Sequence, residues 1–523
     1  MTMASRFRVT YATLSADNED LHAWYEEGLE TARGWLGRHI TPFVNGEDRP
    51  GGETFEVHSP VDTSVTLCTV ASATTDDVTD AVAAAKAGRS SWGNTDWQER
   101  VRVLRAAAEM ISDRCAEFAA VMTMEVGKNR LEALGDVEEA ADLIRYYCTQ
   151  MEKNNGFAKD MDKLLDKEST RSVMRPYGVW GVIVPFNYPM ALAAGPAGGA
   201  LVAGNTVVLK PAPQGTFSSA LFMDCLRESG VPAEAFHLLP GGDEVGQAIV
   251  SHPDVDGITF TGSYAVGMSI YREFATAYPK PVICEMGGKN PTIVTAKADL
   301  DLAAQGITRS AFSFSGQKCS ANSRVYVERE VYDELLAKIL ERASSLVMDD
   351  PTKRDTFLGP VIEEESVRRY EKAVAHAREA GTIVLGGEVV GQTPDGVQGH
   401  YVSPTIVTDL PLEDRLFRDE LFLPFLAIAP VDSLEQGLEL ANDSDLGLTA
   451  GFFSTDEAEI QQFFDTIEAG VVYVNRPAGA TTGAWPGVQP FGGWKGSGTY
   501  GNAGGGLYYV QQFMREQSRT VVA

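Results

Sequence analysis

Two residues in Gly-flanked breaks of the chain have side chains that could do chemistry, Glu285 and Cys319. Glu285 lies in CEMGGKN (284–290) and Cys319 in FSGQKCS (314–320), and neither segment has the apolar spacing that would explain burial as packing. A cysteine among Gly, Ser and Lys is accessible, and positive surroundings favour its thiolate. Taken together, these features predict a reactive thiol at Cys319 rather than an inert core cysteine. Cys284 instead follows an apolar strand, which favours a structural role.

Candidate phosphate-binding residues lie where predicted strands end. Gly262 and Ser263 follow the strand at 257–260 and open a helix, whose N-terminal N–H groups and dipole suit a pyrophosphate. An ordinary strand-to-helix turn is the alternative. Lys210 ends the strand at 207–209, at the sheet edge where open α/β folds bind ligands, with a solvated edge charge as the alternative. The G-x-G-x-x-G at 496–501 has no suitable preceding strand and predicts no nucleotide site.

Alternating strands and helices position these residues. From residue 171, apolar strands, Gly/Pro turns and helices follow one another, which predicts a parallel sheet covered on both faces. A second α/β block runs from about 291 to 474, so a cleft between two sheets is expected. The tail at 506–522 reads as a strand that pairs outside its own domain, with the segment near 153–173 as its candidate partner. Helices are predicted over 15–38, 76–87, 97–124 and 130–153.

The composition restricts the class of protein. The 523 residues contain 44 Lys and Arg against 72 Asp and Glu, a net charge of −28, which disfavours nucleic-acid binding. Six scattered cysteines and no metal-ligand motif predict neither disulfides nor a metal. The uncharged segment 176–209 is long enough for a bilayer, but its prolines and glycines favour a soluble core. No secretory signal is recognised, so we expect a cytoplasmic protein without membrane association.

Six ordered motifs together resemble the aldehyde dehydrogenase superfamily over about residues 40–523. They are PFNYP (185–189), FTGSYAVG (260–267), EMGGKNP (285–291), GQKCS (316–320), DELFLP (419–424) and PFGGWKGSG (490–498). Within it, the sequence is most similar to the L-glutamate γ-semialdehyde (1-pyrroline-5-carboxylate) dehydrogenases of proline catabolism. The features that carry this are SAFSFSGQKCSANSR (310–324), TFLGPVI (356–362), TGA (482–484), GVQPFGG (487–493) and the YYVQQF tail (508–513).

The resemblance implies a catalytic mechanism. Cys319 would attack an aldehyde, the Asn187 amide and the Cys319 backbone N–H would stabilise the oxyanion, and Glu285 would activate water to release the acid. The alternative substrate is another semialdehyde or an aliphatic or aromatic aldehyde. Alternatives from other classes are a CoA-acylating dehydrogenase, a Cys/His hydrolase and a non-catalytic binding role.

The resemblance also implies binding roles. Cofactor contacts fall on Lys210, Gly262, Ser263, Glu420, Phe422 and Phe186, and substrate contacts on Ser320, Gly483 and Ala484. NAD is the expected cofactor, and Pro213, where a glutamate is common, leaves room for NADP. Asp136 is a candidate for a substrate ammonium, with a solvated helix charge as the alternative.

The implied fold is α/β, with two doubly wound parallel-sheet domains and a small β oligomerisation element. The expected boundaries are 1–152 and 172–286 for the NAD-binding domain, 287–490 for the catalytic domain, and 153–171 and 491–523 for the oligomerisation element. The expected partner is a small aldehyde, in a homodimer or larger homo-oligomer.

Overall fold

A computed structural model describes residues 9, 14–477, 485–499 and 502–523. Its helices are α1 (Glu19–Arg33), α2 (Thr75–Asn94), α3 (Trp97–Asp113), α4 (Cys115–Val126), α5 (Arg130–Lys153), α6 (Ala191–Val202), α7 (Thr216–Ser229), α8 (Asp243–Ser251), α9 (Tyr264–Glu273), α10 (Leu300–Phe312), α11 (Tyr332–Ser344), α12 (Glu364–Ala380), α13 (Leu434–Asn442) and α14 (Glu457–Thr466). Its strands are β1 (Arg38–Ile40), β2 (Phe43–Val44), β3 (Glu47–Asp48), β4 (Thr54–His58), β5 (Thr66–Ala71), β6 (Ala158–Asp160), β7 (Glu168–Pro176), β8 (Val179–Ile183), β9 (Thr206–Lys210), β10 (Phe236–Leu238), β11 (Gly257–Thr261), β12 (Val282–Glu285), β13 (Asn290–Val294), β14 (Asn322–Glu328), β15 (Thr382–Leu385), β16 (Thr405–Thr408), β17 (Phe425–Val431), β18 (Leu446–Gly447), β19 (Thr449–Phe453), β20 (Val471–Val474), β21 (Trp494–Lys495) and β22 (Met514–Val522).

The first large sheet has the strand order β12-β11-β8-β9-β10-β2-β3. Strands β8 to β12 are parallel, and the short β2 and β3 close one edge in antiparallel fashion. The chain progresses from β8 through β9 to β10 on one side, then returns to place β11 on the other side of β8. Ligands of open parallel sheets bind where the strand order reverses in this way, outside the carboxyl ends of the strands. The loops after β8 and β11 therefore border the expected crevice.

The second large sheet has the order β15-β16-β17-β14-β13-β19-β20. All its pairings are parallel except the one between the edge strand β15 and β16. Its apolar strands are covered by helices such as α10 and α13, so both faces are buried. The connection from α10 to β14 carries Cys319, and this sheet thereby places the predicted nucleophile.

The carboxyl-terminal strand pairs with a distant part of the chain, as its alternating sequence predicts. Strand β22 lies antiparallel to β7, from Met514 opposite Pro176 to Val522 opposite Glu168. The order is β22-β7-β6, so β22 forms one edge of this small sheet.

Helix boundaries differ from the periodicity in informative places. Helix α1 begins only at Glu19, where Asn18 accepts a hydrogen bond from the backbone N–H of Leu21. The predicted helix over 97–124 is two helices, because Arg114 leaves the helical conformation between α3 and α4. Buried residues continue on both sides of this break, so the apolar spacing does not register it. The uncharged segment 176–209 forms β8 and most of β9, two strands of the first sheet, with α6 between them. Among the described residues, no helix has both the length and the hydropathy to cross a membrane.

Candidate active site

A mostly apolar cavity of about 470 Å³ brings most of the predicted site residues together. Its lining includes Cys319, Glu285, Asn187, Ser320, Gly262, Ser263, Glu420, Phe422 and Phe186. Lys210 is buried at the end of β9 and is not among the lining residues. Gly483 and Ala484 lie outside the described residues.

Cys319 follows an unusual left-handed turn. Phe314, Ser315 and Gly316 have φ values of 50°, 51° and 67°, a conformation that non-glycine residues rarely adopt. The Ser315 hydroxyl donates to the carbonyl of Gly359 at 2.6 Å, and the side-chain oxygen of Gln317 accepts from the N–H of Ile362 at 2.8 Å. These bonds hold the turn, so the nucleophile loop (residues 314–320) is fixed before any substrate arrives.

The thiol of Cys319 is not activated by positive surroundings, contrary to the expectation from its sequence context. Burial in the apolar cavity wall, together with the carboxylates of Glu420 and Glu285, raises its pKa to about 12. The neighbouring Lys318 is turned away, because its ammonium pairs with Glu132 at 2.6 Å. These surroundings favour the thiol over the thiolate.

Asn187 lies close to the nucleophile loop, in the connection after β8. Its side-chain amide donates to the carbonyl of Gln317 at 3.2 Å, and the residue is buried. This bond uses one of the two N–H donors of the amide, and Asn187 also lines the cavity. The arrangement places an amide donor beside Cys319, as an oxyanion site requires.

Glu285 ends strand β12 with its carboxyl group withdrawn from bulk water. Burial raises its pKa to about 8, although a backbone N–H from Gly493 partly offsets the effect. One carboxyl oxygen, Oε2, is buried without a hydrogen-bond partner in the described part of the chain. A carboxyl group with this pKa and an unused oxygen is suited to exchanging a proton with water near neutral pH.

The Gly-rich segment that carries the G-x-G-x-x-G match supports Glu285 instead of a nucleotide. The N–H of Met286 donates to the carbonyl of Ser497 at 2.8 Å, and the Ser497 hydroxyl donates to the carbonyl of Gly287 at 2.6 Å. Thr499 accepts from the N–H of Cys284 at 3.0 Å. Residues 500 and 501 of the match lie outside the described residues.

The predicted phosphate-binding residues stand at the start of helix α9. Ser263 caps the helix by accepting from the N–H of Val266, and Thr261, Gly262 and Ser263 all line the cavity. The free N–H groups and positive dipole end of the helix therefore open into the cavity. The geometry suits an anionic group there.

Glu420, Phe422 and Phe186 form another part of the cavity wall. Burial raises the pKa of Glu420 to about 7, and its carboxylate accepts from the N–H of Gly288 at 3.0 Å. It packs so closely on Gly287 that a Cβ there would overlap it. Phe186 and Phe422 meet edge to face with ring centroids 6.0 Å apart. The two rings therefore form an aromatic corner of the cavity wall, which also contains the Glu420 carboxylate.

Asp136 is not a substrate-binding residue, which corrects the expectation from the sequence. Its side chain is fully buried and forms an ion pair with Lys128 at 2.6 Å, so it neither reaches the cavity nor lies in solvent. Glu139, three residues later on the same helix α5, lines the cavity instead. Helical periodicity identifies the face of α5 that is buried but does not decide which of its acidic residues reaches the opening.

Several further lining residues were missed by the sequence analysis. They are Glu139, Leu143, Tyr147, Tyr188, Arg369, Phe491 and Tyr509. Arg369 is the one Arg or Lys in the described lining, and it donates to the carbonyl of Leu421, next to Glu420, at 2.9 Å. It lies in a helix rich in charged residues, where nothing in the pattern distinguishes it.

Known sequences match this chain over nearly its whole length. A family profile described as "Aldehyde dehydrogenase family" matches residues 47–519. The 1-pyrroline-5-carboxylate dehydrogenase 1 of Halalkalibacterium halodurans is 37% identical over 506 residues, covering 95% of each chain. The 1-pyrroline-5-carboxylate dehydrogenase 2 of Bacillus subtilis is 36% identical over 504 residues, again with 95% of each chain covered.

Solved structures agree with these matches. A 1-pyrroline-5-carboxylate dehydrogenase from Thermus with bound NAD superposes with a TM-score of 0.93 at 32% identity, over 100% of both chains. An NAD-dependent aldehyde dehydrogenase from Sinorhizobium meliloti gives 0.87 at 29% identity, over 95% of this chain and 96% of the other. The fold class and the family resemblance predicted from the sequence are confirmed. The chain belongs to the aldehyde dehydrogenase family.

Proposed function

We propose that this protein oxidises L-glutamate γ-semialdehyde, the open form of 1-pyrroline-5-carboxylate, to L-glutamate with NAD, as a step of proline catabolism. The observation that carries the proposal is the convergence of Cys319, Glu285 and Asn187 on one cavity. The names of the relatives support the substrate, and the NAD-bound Thermus structure supports the cofactor.

The first step in this proposal is addition of the Cys319 sulfur to the aldehyde carbon. The S–H proton passes to solvent water, an S–C bond forms as the C=O π bond breaks, and the carbonyl oxygen becomes an oxyanion. The Asn187 amide and the backbone N–H of Cys319 donate to that oxyanion, and loss of one such donor typically costs about 2.7–4 kcal/mol of barrier. Because Asn187 is already tied to Gln317, this donor needs no reorganisation during the reaction.

The cavity has the groups that a dinucleotide needs. Gly262 and Ser263, at the N-terminal end of α9, would bind the pyrophosphate, Glu420 would accept from a ribose hydroxyl, and Arg369 would supply a cation. NAD supplies the hydride acceptor when bound. Phe186 and Phe422 would form the aromatic corner beside it. Lys210, at the carboxyl edge of the sheet, is proposed for the second ribose.

Release of the acid is the proposed role of Glu285. After oxidation, the acyl group is a thioester on Cys319, and the Glu285 carboxylate takes a proton from the attacking water. The C–S bond then breaks and frees the carboxylic acid, and the proton held by Glu285 passes to the sulfur, which returns the thiol. Oε2 of Glu285, which has no hydrogen-bond partner among the described residues, is the atom suited to hold that proton.

Turnover is expected to rise with pH through the titration of Glu285. Only the ionised carboxylate accepts a proton from water, and burial raises its pKa to about 8, so activity limited by this step is lost as the pH falls below that value. Steady-state NADH formation measured from pH 6 to pH 9.5 should show this midpoint. A flat profile in this range would contradict the assignment, and the Glu285→Gln variant should lack the titration.

The charged end of the substrate is assigned to two sides of the cavity. Ser320, next to the nucleophile, lines the cavity and would donate its hydroxyl to the α-carboxylate. Gly483 and Ala484 are proposed for the same group through their backbone N–H. Glu139 replaces Asp136 as the residue proposed to face the substrate ammonium, because its carboxyl group is the one that α5 presents to the cavity.

Glu139→Gln is expected to raise KM for glutamate γ-semialdehyde about tenfold while kcat stays within about twofold, because a carboxylate–ammonium interaction is worth roughly 1.5–3 kcal/mol at most. KM for propionaldehyde, which has no ammonium, should not change. NADH kinetics with both aldehydes check this. Equal effects on both aldehydes would contradict the assignment.

The substrate itself is tested by a panel of aldehydes. We expect kcat/KM for glutamate γ-semialdehyde to exceed that for succinate semialdehyde and for uncharged aliphatic aldehydes by at least about 10²-fold, because a site built for polar groups rejects analogues that lack them. Comparable values across the panel would instead support the alternative of a broad aliphatic or aromatic aldehyde dehydrogenase. Acyl-CoA product on addition of CoA would support the CoA-acylating class.

We also propose the three-part organisation given above and a homo-oligomer. The oligomerisation element, residues 153–171 and 491–523, ends in the edge strand β22, and its Val521 and Val522 are exposed. An exposed edge strand is a common site of pairing with another chain. Light scattering of the full chain tests this, and a monomer at micromolar concentration would contradict it.

A further inference from the structure

Helix α5 carries a row of acidic residues close to two loops, which we call the catalytic loops: the loop at 187–190 and the nucleophile loop (residues 314–320). Glu132, Asp136 and Glu139 are spaced by four and three residues, so they share one helix face. Glu139 reaches the cavity, whereas Glu132 binds Lys318 of the nucleophile loop at 2.6 Å. Asp136 lies between them and binds neither substrate nor solvent.

Asp136 connects to the loop that carries the oxyanion donor. One carboxylate oxygen accepts from Lys128 at 2.6 Å, and the other accepts from the N–H of Ala191 at 2.8 Å. Ala191 is the first residue of α6 and lies four residues after Asn187. The carboxylate therefore fixes the end of the loop at 187–190.

Lys128 contacts an aromatic side chain of each catalytic loop. Its ammonium lies 3.3 Å from the ring centroid of Tyr188 and 5.1 Å from that of Phe314. Tyr188 follows Asn187 directly, and Phe314 begins the left-handed turn that leads to Cys319. Cation–π contacts are strongest when the cation is removed from water, as it is here. One buried cation thus links the oxyanion donor to the nucleophile.

We propose that the Lys128–Asp136 pair is a positioning unit that sets the Asn187 amide at its working distance from Cys319. This inference rests on the proposed function. A buried ion pair is weak support for stability, because well-packed apolar residues of similar volume often serve as well or better. Stability alone therefore does not explain why an ion pair is buried at this place. Its contacts to both catalytic loops do explain it.

The test compares two single variants with a matched control. Lys128→Met and Asp136→Asn should lower the rate of the first NADH turnover about 10²-fold. This is the effect expected if the Asn187 amide is displaced by about 1 Å from its position beside Cys319. KM for the aldehyde should change less than about threefold. Glu138→Gln breaks another buried ion pair of α5, with Arg145 at 2.7 Å, that lies outside the cavity lining. It should lower the melting temperature and leave the first-turnover rate unchanged.

A double variant separates positioning from stability. Lys128→Met/Asp136→Leu replaces the pair with apolar residues and should recover the melting temperature but not the first-turnover rate. The proposal is overturned if the double variant recovers the rate, if Glu138→Gln loses as much rate as Lys128→Met, or if Lys128→Met keeps the wild-type rate. Full activity of Cys319→Ala would instead overturn the proposed function, so the two failures are distinguishable.

Discussion

Cys319→Ala abolishes NADH formation with glutamate γ-semialdehyde, lowering kcat by at least about 10⁴-fold, because no other group can form the S–C bond on which the reaction depends. Cys319 lines the same cavity as Glu285 and Asn187, whereas the other five cysteines are buried. Stopped-flow absorbance at saturating NAD measures both the first turnover and the steady state.

The matched control is Cys225→Ala. Cys225 is buried in α7 away from the cavity lining, so its loss should reduce stability slightly and leave kcat within about twofold. NAD binding by calorimetry should be the same in wild type and Cys319→Ala, which would show that the cofactor site is intact. Steady NADH formation by Cys319→Ala would refute the nucleophile assignment.

Glu285→Gln separates the two halves of the reaction. We expect a burst of about one NADH per active site at close to the wild-type rate, followed by turnover slowed about 10²–10⁴-fold, because the amide cannot take a proton from water. The acyl group should then accumulate on Cys319. Rapid-mixing measurement of the burst amplitude and the following slope gives both values from one trace.

Glu125→Gln is the control for a buried carboxyl group with a raised pKa. Burial raises the pKa of Glu125 to about 7, but its oxygens accept from Ser218 and the N–H of Phe217 at the start of α7, outside the cavity lining. Its substitution should lower the melting temperature without changing the ratio of burst to steady rate. Equal steady-state turnover of Glu285→Gln and wild type would disprove the base assignment.

The sheets and most catalytic residues could be predicted because each leaves a local signal. Apolar runs such as 207–209 bounded by Gly and Pro turns identify buried parallel strands, and the tail alternation identifies β22. Cys319 and Glu285 stand in Gly-flanked segments that lack the apolar spacing of a helix. Asn187, Glu420 and Ser320 were found through the family resemblance, and all three line the cavity.

Properties that depend on distant contacts could not be predicted. The raised pKa of Cys319 follows from burial and from the carboxylates of Glu420 and Glu285, which are distant in sequence. The ammonium of the adjacent Lys318 pairs with Glu132, which lies 186 positions away. Asp136 and Glu139 have similar sequence surroundings, and only the packing of α5 buries one in an ion pair and turns the other to the cavity. Arg369 reaches the site because of the path of α12, for which the sequence has no local marker.

The central claim is that the oxidised substrate is carried by the Cys319 sulfur. Glu285→Gln enzyme, mixed with NAD and glutamate γ-semialdehyde, quenched in acid after one turnover and digested, tests this directly by mass spectrometry. We predict that the peptide containing Cys319 gains the mass of the glutamyl acyl group in proportion to the NADH formed. An equal amount of NADH with an unmodified Cys319 peptide would contradict the account.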